Sequence, residues 1–262
     1  MIKQYFNIIK YESILCIKAN LRYKLNYLSE FMIFFLVYMA VLFFNSGEGL
    51  ANAYNVSNLD GKILMLIGVV FWQISIIALG YSSSGISGSF ASGTLELRLQ
   101  SKFSIIVMQL VRVFIDILSS YISLLILLVI SFFMIKIDLS SFLKIFYTFI
   151  VVIPSILGMY GMGLIFGGLT LKTKELGQFL MIFQSILLFT SNSIFPTTTK
   201  IVNFLPFPIG TEITRNLYLG NPVLLKTVIY YILINALWLI IGVLFFNKML
   251  KIERTKGQFD TY

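Results

Sequence analysis

From Ile105 to Ile135 the chain reads IIVMQLVRVFIDILSSYISLLILLVISFFMI, an apolar run interrupted by only two charges, Arg112 and Asp116. Few folds accommodate such a run. Lipid offers no partner to backbone N–H and C=O groups, so a segment of this length and polarity must satisfy them internally, as a helix. The rest of the chain agrees with this reading: 58% of its 262 residues are hydrophobic and 12% are charged, and the mean hydropathy is +0.91. A soluble domain is about 45–50% apolar and about 25% charged. The sequence therefore describes an integral, all-α membrane protein. The run at 105–135 exceeds one perpendicular crossing, which predicts either tilt or a start along the interface.

Six apolar runs divide the chain, at about 28–44, 63–81, 105–135, 143–169, 176–195 and 223–246, within a single transmembrane domain covering 1–262. Residues 1–24 precede them as an amphipathic, basic interfacial helix. Ile2, Tyr5, Phe6, Ile9, Cys16 and Ile17 share one face, and Lys3, Asn7, Lys10, Lys18 and Arg22 share the other. The same charges leave no continuous apolar core for a secretory signal, so this segment is expected to be retained. Between the fifth and sixth runs, residues 196–222 carry Pro196, Pro206 and Pro208 together with Ile201, Val202, Phe204, Phe207 and Ile209. They are too apolar for a solvated loop and are expected to form short re-entrant or interfacial helices. The fourth run holds the glycines 158, 161, 163, 167 and 168, including the GxxxG step from Gly163 to Gly167, a pattern that lets helices approach closely.

Lysine and arginine assign the two sides. In the six-span arrangement, thirteen fall on the side of the termini and six on the other, which places both termini in the cytoplasm. The preference for lysine over arginine, with abundant isoleucine and asparagine, points to a low-GC bacterial source and hence a bacterial plasma membrane. The net charge of +9 is read as topology and lipid-headgroup attraction, and no nucleic-acid groove is expected.

Catalytic chemistry finds little support. There is no histidine and one cysteine, Cys16, so a disulfide framework, a Cys/His metal centre and His-based acid–base chemistry have no residues to use. No G-x-x-x-x-G-K-[ST] loop cradles a nucleotide phosphate, and no G-x-S-x-G elbow offers a nucleophile. The chain is not expected to be an enzyme or to bind a cofactor. Arg112 and Asp116, spaced i, i+4, are expected to pair, either as a snorkelling structural pair or as an intramembrane relay.

Residues 86–104, ISGSFASGTLELRLQSKFS, form the polar interruption between the second and third runs. As a helix, the segment from Gly93 would start on Ser92 or Gly93 as cap, with Glu96 in its first turn and Leu95 and Leu99 on one face. The alternation L-E-L-R-L-Q also suits a strand, and the pattern leaves both open. Either way a short amphipathic element is offered to a partner.

This layout resembles the permease subunits of ABC-2 type transporters. The resemblance rests on the interfacial helix before six spans, the I-x6-GTLE-type loop at Ile86 to Glu96, and the FP…P…P stretch at Phe195, Pro196, Pro206 and Pro208, and it covers nearly the whole chain. The family's usual proline-containing turn after the loop is absent, since Gln100, Ser101, Lys102 and Phe103 stand there. The resemblance implies a second permease, identical or similar, and two copies of a separate ABC ATPase that bind ATP and Mg. It implies coupling to that ATPase through Gly93, Thr94, Leu95, Glu96 and Leu99, and an external gate region that includes Pro196, Pro206, Pro208 and Glu212. Export of an amphipathic or hydrophobic substrate, such as a peptide antibiotic, lipid or drug, follows as the expected function. A carrier or channel working through Arg112 and Asp116, and a non-transporting immunity or sensor protein for peptide antibiotics, are the alternatives.

Overall fold

A computed structural model describes residues 2–22, 24–45, 47–135, 138–196 and 200–256. Among these the regular structure is helical, without strands. The helices are α1 (Ile2–Arg22), α2 (Lys24–Asn45), α3 (Glu48–Tyr54), α4 (Asn58–Ala91), α5 (Leu95–Leu99), α6 (Ile105–Ile135), α7 (Leu139–Ile145), α8 (Tyr147–Val151), α9 (Ile153–Thr173), α10 (Gly177–Thr190), α11 (Pro208–Leu219) and α12 (Leu225–Lys256), with a 3-10 turn at Lys200–Phe204. Four helices, α4, α6, α9 and α12, are long and apolar enough to cross a membrane.

The core is built on α9. One of its faces meets α12 and another meets α4, and glycine sets both distances. A Cβ on Gly161 would stand 2.4 Å from the Trp238 carbonyl, and one on Gly242 would stand 1.9 Å from the Gly161 carbonyl, so α9 and α12 touch backbone to backbone. On the other face a Cβ on Gly163 would lie 2.5 Å from the Leu79 carbonyl. The expected glycine-mediated packing is thus present on both sides of α9. The apolar window of α4 is 89% buried and that of α12 only 22%, which makes α4 central and α12 peripheral.

The second run does not end at 81: α4 carries it on unbroken to Ala91, into the polar interruption. Its 34 residues span about 51 Å, well beyond the ~30 Å hydrocarbon layer. Serine and glycine have weak helix propensity, but here packing overrides it. Ser89 Oγ donates to the Gly85 carbonyl at 2.6 Å, Ser83 Oγ meets Thr170 Oγ1 at 2.7 Å, and Gly167 of α9 comes against Ser82 and Ile86. Likewise α12 continues past 246, where the sixth run was expected to end, through Lys248, Lys251 and Arg254.

Two other expected spans differ. The run at 143–169 is divided twice, at Phe146 between α7 and α8 and before Pro154, where the Tyr231 hydroxyl enters the open turn: it donates to the Val151 carbonyl at 2.8 Å and accepts from the Ser155 N–H at 3.2 Å. The run at 176–195 is helical only over α10, 14 residues or about 21 Å. The third run, expected either to tilt or to start along the interface before turning inward, is one continuous helix, α6, without a turn.

Between α10 and α12 the expected short helices appear as the 3-10 turn and α11. Ile201 and Phe204 are exposed, whereas Phe207 and Ile209 are buried. A buried cation joins this region to the core. Arg215 of α11, one of the six cations assigned from the sequence to the side opposite the termini, is fully buried; its guanidinium donates to the carbonyls of Leu64 (3.0 Å), Asn192 (2.7 Å) and Ser193 (2.8 Å). Asn192 takes a left-handed φ of 62°, so the backbone after α10 turns away from the helix and delivers two of those carbonyls. The tie to Arg215 accounts for the end of α10 at Thr190 and not at 195.

Candidate functional site

The segment 86–104 resolves into three parts: the end of α4, a two-turn reversal carrying α5, and a link into α6. Gly93, at φ 63°, is the residue that stops α4. Its N–H bonds the Phe90 carbonyl at 3.0 Å and the Thr94 N–H bonds the Ser89 carbonyl at 3.0 Å, the paired pattern of a Schellman stop. Ser92 and Gly93 therefore end the preceding helix and do not cap the next, whose N-cap is Thr94. The choice between helix and strand for LELRL is decided as helix. Leu95 is buried and Leu99 packs on the core, as their shared face requires, while Glu96 and Leu97 point outward, Leu97 being 70% exposed.

This short helix is tied to the far end of the chain. Arg254, near the end of α12, donates from Nη2 to the Leu99 carbonyl at 3.2 Å. The contact satisfies one of the carbonyls left open at the end of α5. The α4, α5, α6 and α12 ends thus form one surface. Two clefts open on it: one of about 360 Å³ bordered by Glu96, Leu99, Gln100 and Arg254, and one of about 290 Å³ bordered among others by Arg98, Lys102 and Arg254. Arg98 is half-buried, and both that burial and the nearby Arg112 charge pull its pKa downward.

Arg112 and Asp116 do not form the expected pair. Arg112 binds Glu12 of α1, with Nε and Nη2 at 2.6 and 2.5 Å from Glu12 Oε2. Asp116, one turn on, accepts from the Cys16 thiol at 3.2 Å. Both helices present residues four apart, so the two contacts form successive rungs of a ladder between α1 and α6. Burial pushes the Cys16 thiol up to about 12, with the Asp116 carboxylate beside it adding to the effect. On α1 the inward stripe is Glu12 and Cys16, while Ile9, Leu15 and Ile17 are exposed. The expected face positions Ile2, Tyr5 and Phe6, with Lys3 and Asn7 opposite, have side chains outside the described ones.

The residues of the expected external gate are dispersed. Pro208 opens α11, Pro206 is buried against Gly158 of α9, Pro196 lies beside Gly49 of α3, and Glu212 is exposed on α11. Their places are thus on α11, beside α9 and beside α3. Beside them Tyr218 donates to Asp60 Oδ1 at 2.8 Å and approaches Ser141 Oγ at 3.3 Å, joining α11, α4 and α7.

Sequence reasoning missed Glu12, Arg215 and Arg254. Glu12 carried a signal, as a lone acid one turn before the only cysteine on a basic helix. Arg254 carried a weaker one, within a basic tail, and Arg215 none. No group of three or more metal-ligating side chains occurs among the described residues. Comparison of the chain with protein-family models and with curated proteins returned no match.

Proposed function

We propose that the chain is the membrane-spanning subunit of an ABC-2 type exporter. Its ATP and Mg are bound by a partner ATPase in two copies, and a second permease, identical or similar, completes the unit. The observation that carries this reading is the placement of α5. A helix of one and a half turns is set where the longest core helix stops, anchored inward by Leu95, tied to α12 by Arg254, and left exposed at Glu96 and Leu97. A partner pressing on that exposed side would push on α4 through the Gly93 turn and on α12 through Arg254. Since glycines bring α9 into backbone contact with both, the displacement would pass into the centre of the bundle. The spans hold few charges, which suits an amphipathic or apolar cargo.

Arg112 and Asp116 are each engaged by α1, which supports a role in attaching the interfacial helix over a relay. The test is affinity purification of the detergent-solubilised chain, with mass spectrometry of what accompanies it. Recovery of an ATPase with a phosphate-binding loop, in a near-equal ratio to permease chains, is the expected result. Reproducible recovery of folded chain alone would overturn the proposal in favour of a carrier or an immunity protein.

A further inference from the structure

The 290 Å³ cleft beside α5 has a chemistry that ATPase coupling does not require. Arg98 comes from α5, Lys102 from the link and Arg254 from the end of α12, so three cations from three parts of the chain border one concavity. Among the described residues no carboxylate borders it, and Glu96 lines the adjoining cleft instead. The hydroxyls of Ser101 and Ser104 and the side-chain amide of Asn247 add neutral hydrogen-bonding groups. The wall also includes the beginning of α6, where the open N–H groups of a first helical turn favour negative charge. Burial and the nearby Arg112 disfavour the charge of Arg98, while Glu12 of α1 acts in its favour, so the guanidinium keeps its charge beside the cleft.

We propose that this cleft is a phosphate-binding site, taking the phosphate of an anionic lipid headgroup or a free phosphate group. The donor set favours phosphate: a tetrahedral anion presents oxygens in several directions at once, which three cations bordering the cleft from three parts of the chain can meet, and arginine forks match it bidentately. The site is independent of the transport reading, since any membrane protein with this cleft would bind the same group.

The test uses the full chain in a maltoside detergent, which contains no phosphate, at constant ionic strength. One arm titrates inorganic phosphate and the other titrates short-chain phosphatidylglycerol in mixed micelles, each followed calorimetrically for wild type, Arg98→Gln, Lys102→Gln and Lys251→Gln. Lys251 is exposed on α12 and does not border the cleft, so its variant should bind as wild type. Loss of one charge-assisted contact should weaken binding by about tenfold or more in the other two variants. Binding of inorganic phosphate that obeys this pattern assigns a free phosphate; binding of the phosphatidylglycerol alone, with the same pattern, assigns a lipid headgroup. The proposal is overturned if neither probe binds, or if Arg98→Gln and Lys102→Gln bind like wild type. Lys102 is exposed, so its variant keeps the test valid should Arg98→Gln fold poorly.

Discussion

The guanidinium of Arg215 shows how one residue organises several elements. Its three carbonyl partners come from α4 and from the bend after α10, and each would lose its hydrogen bond within a dry interior if the cation were removed. Arg215→Leu is therefore expected to cost about 3 kcal/mol or more, seen as a lowered thermal midpoint in detergent. Arg215→Lys should recover little, since a point-like ammonium on a different stem cannot reproduce the fork. Cys16 makes a second prediction. With its thiol held up to about 12, far less thiolate is present at pH 8 than for an ordinary cysteine, so maleimide labelling of the folded chain should be about a thousandfold slower. Asp116→Asn, which removes the adjacent negative charge, should accelerate labelling; an unchanged rate would mean that Asp116 does not act on the thiol. Neither environment was legible in the sequence. The partners of Arg215 at Leu64 and the Glu12–Arg112 rung join positions that only the fold brings together, whereas the pairing expected of Arg112 and Asp116 relied on local spacing alone.

At the scale of elements, close approach and attachment give separate tests. Gly242→Ala places a methyl where the Gly161 carbonyl already stands, so α9 and α12 must separate; a loss of about 1–3 kcal/mol is expected. Gly88→Ala, on the same kind of helix but with nothing within 4 Å of the added carbon, should be neutral or stabilise slightly. Equal destabilisation by both would contradict the glycine contact as the cause. For α1, Glu12→Lys sets like charges against each other and should raise hydrogen exchange across 9–18, while combining it with Arg112→Glu should restore protection. Long apolar runs with helical length were readable because composition alone fixes their state in lipid. The unbroken passage of α4 through SSSGISGS was not, because its stability comes from packing on α9, with the serine hydroxyls satisfied on the backbone and on Thr170, contrary to local propensity. The Gly93 turn was visible as a glycine, but its role as the stop of α4 depended on where that helix ended.

At the scale of the whole molecule, α4, α9 and α12 form a continuous packed path from the α5 surface into the bundle, and the proposed function depends on something docking at α5. Glu96→Arg should then abolish export while leaving membrane insertion and thermal stability unchanged, because Glu96 is exposed. The most direct measurement is site-specific photocrosslinking in cells, with a benzophenone amino acid placed at Leu97 on the outward side of α5 and, as a control, at Leu224 before α12, which is equally exposed. The account predicts that Leu97 captures an ATPase bearing a phosphate-binding loop and that Leu224 does not. Capture of no such ATPase at Leu97, or equal capture at both positions, would contradict α5 as the point where transport is driven.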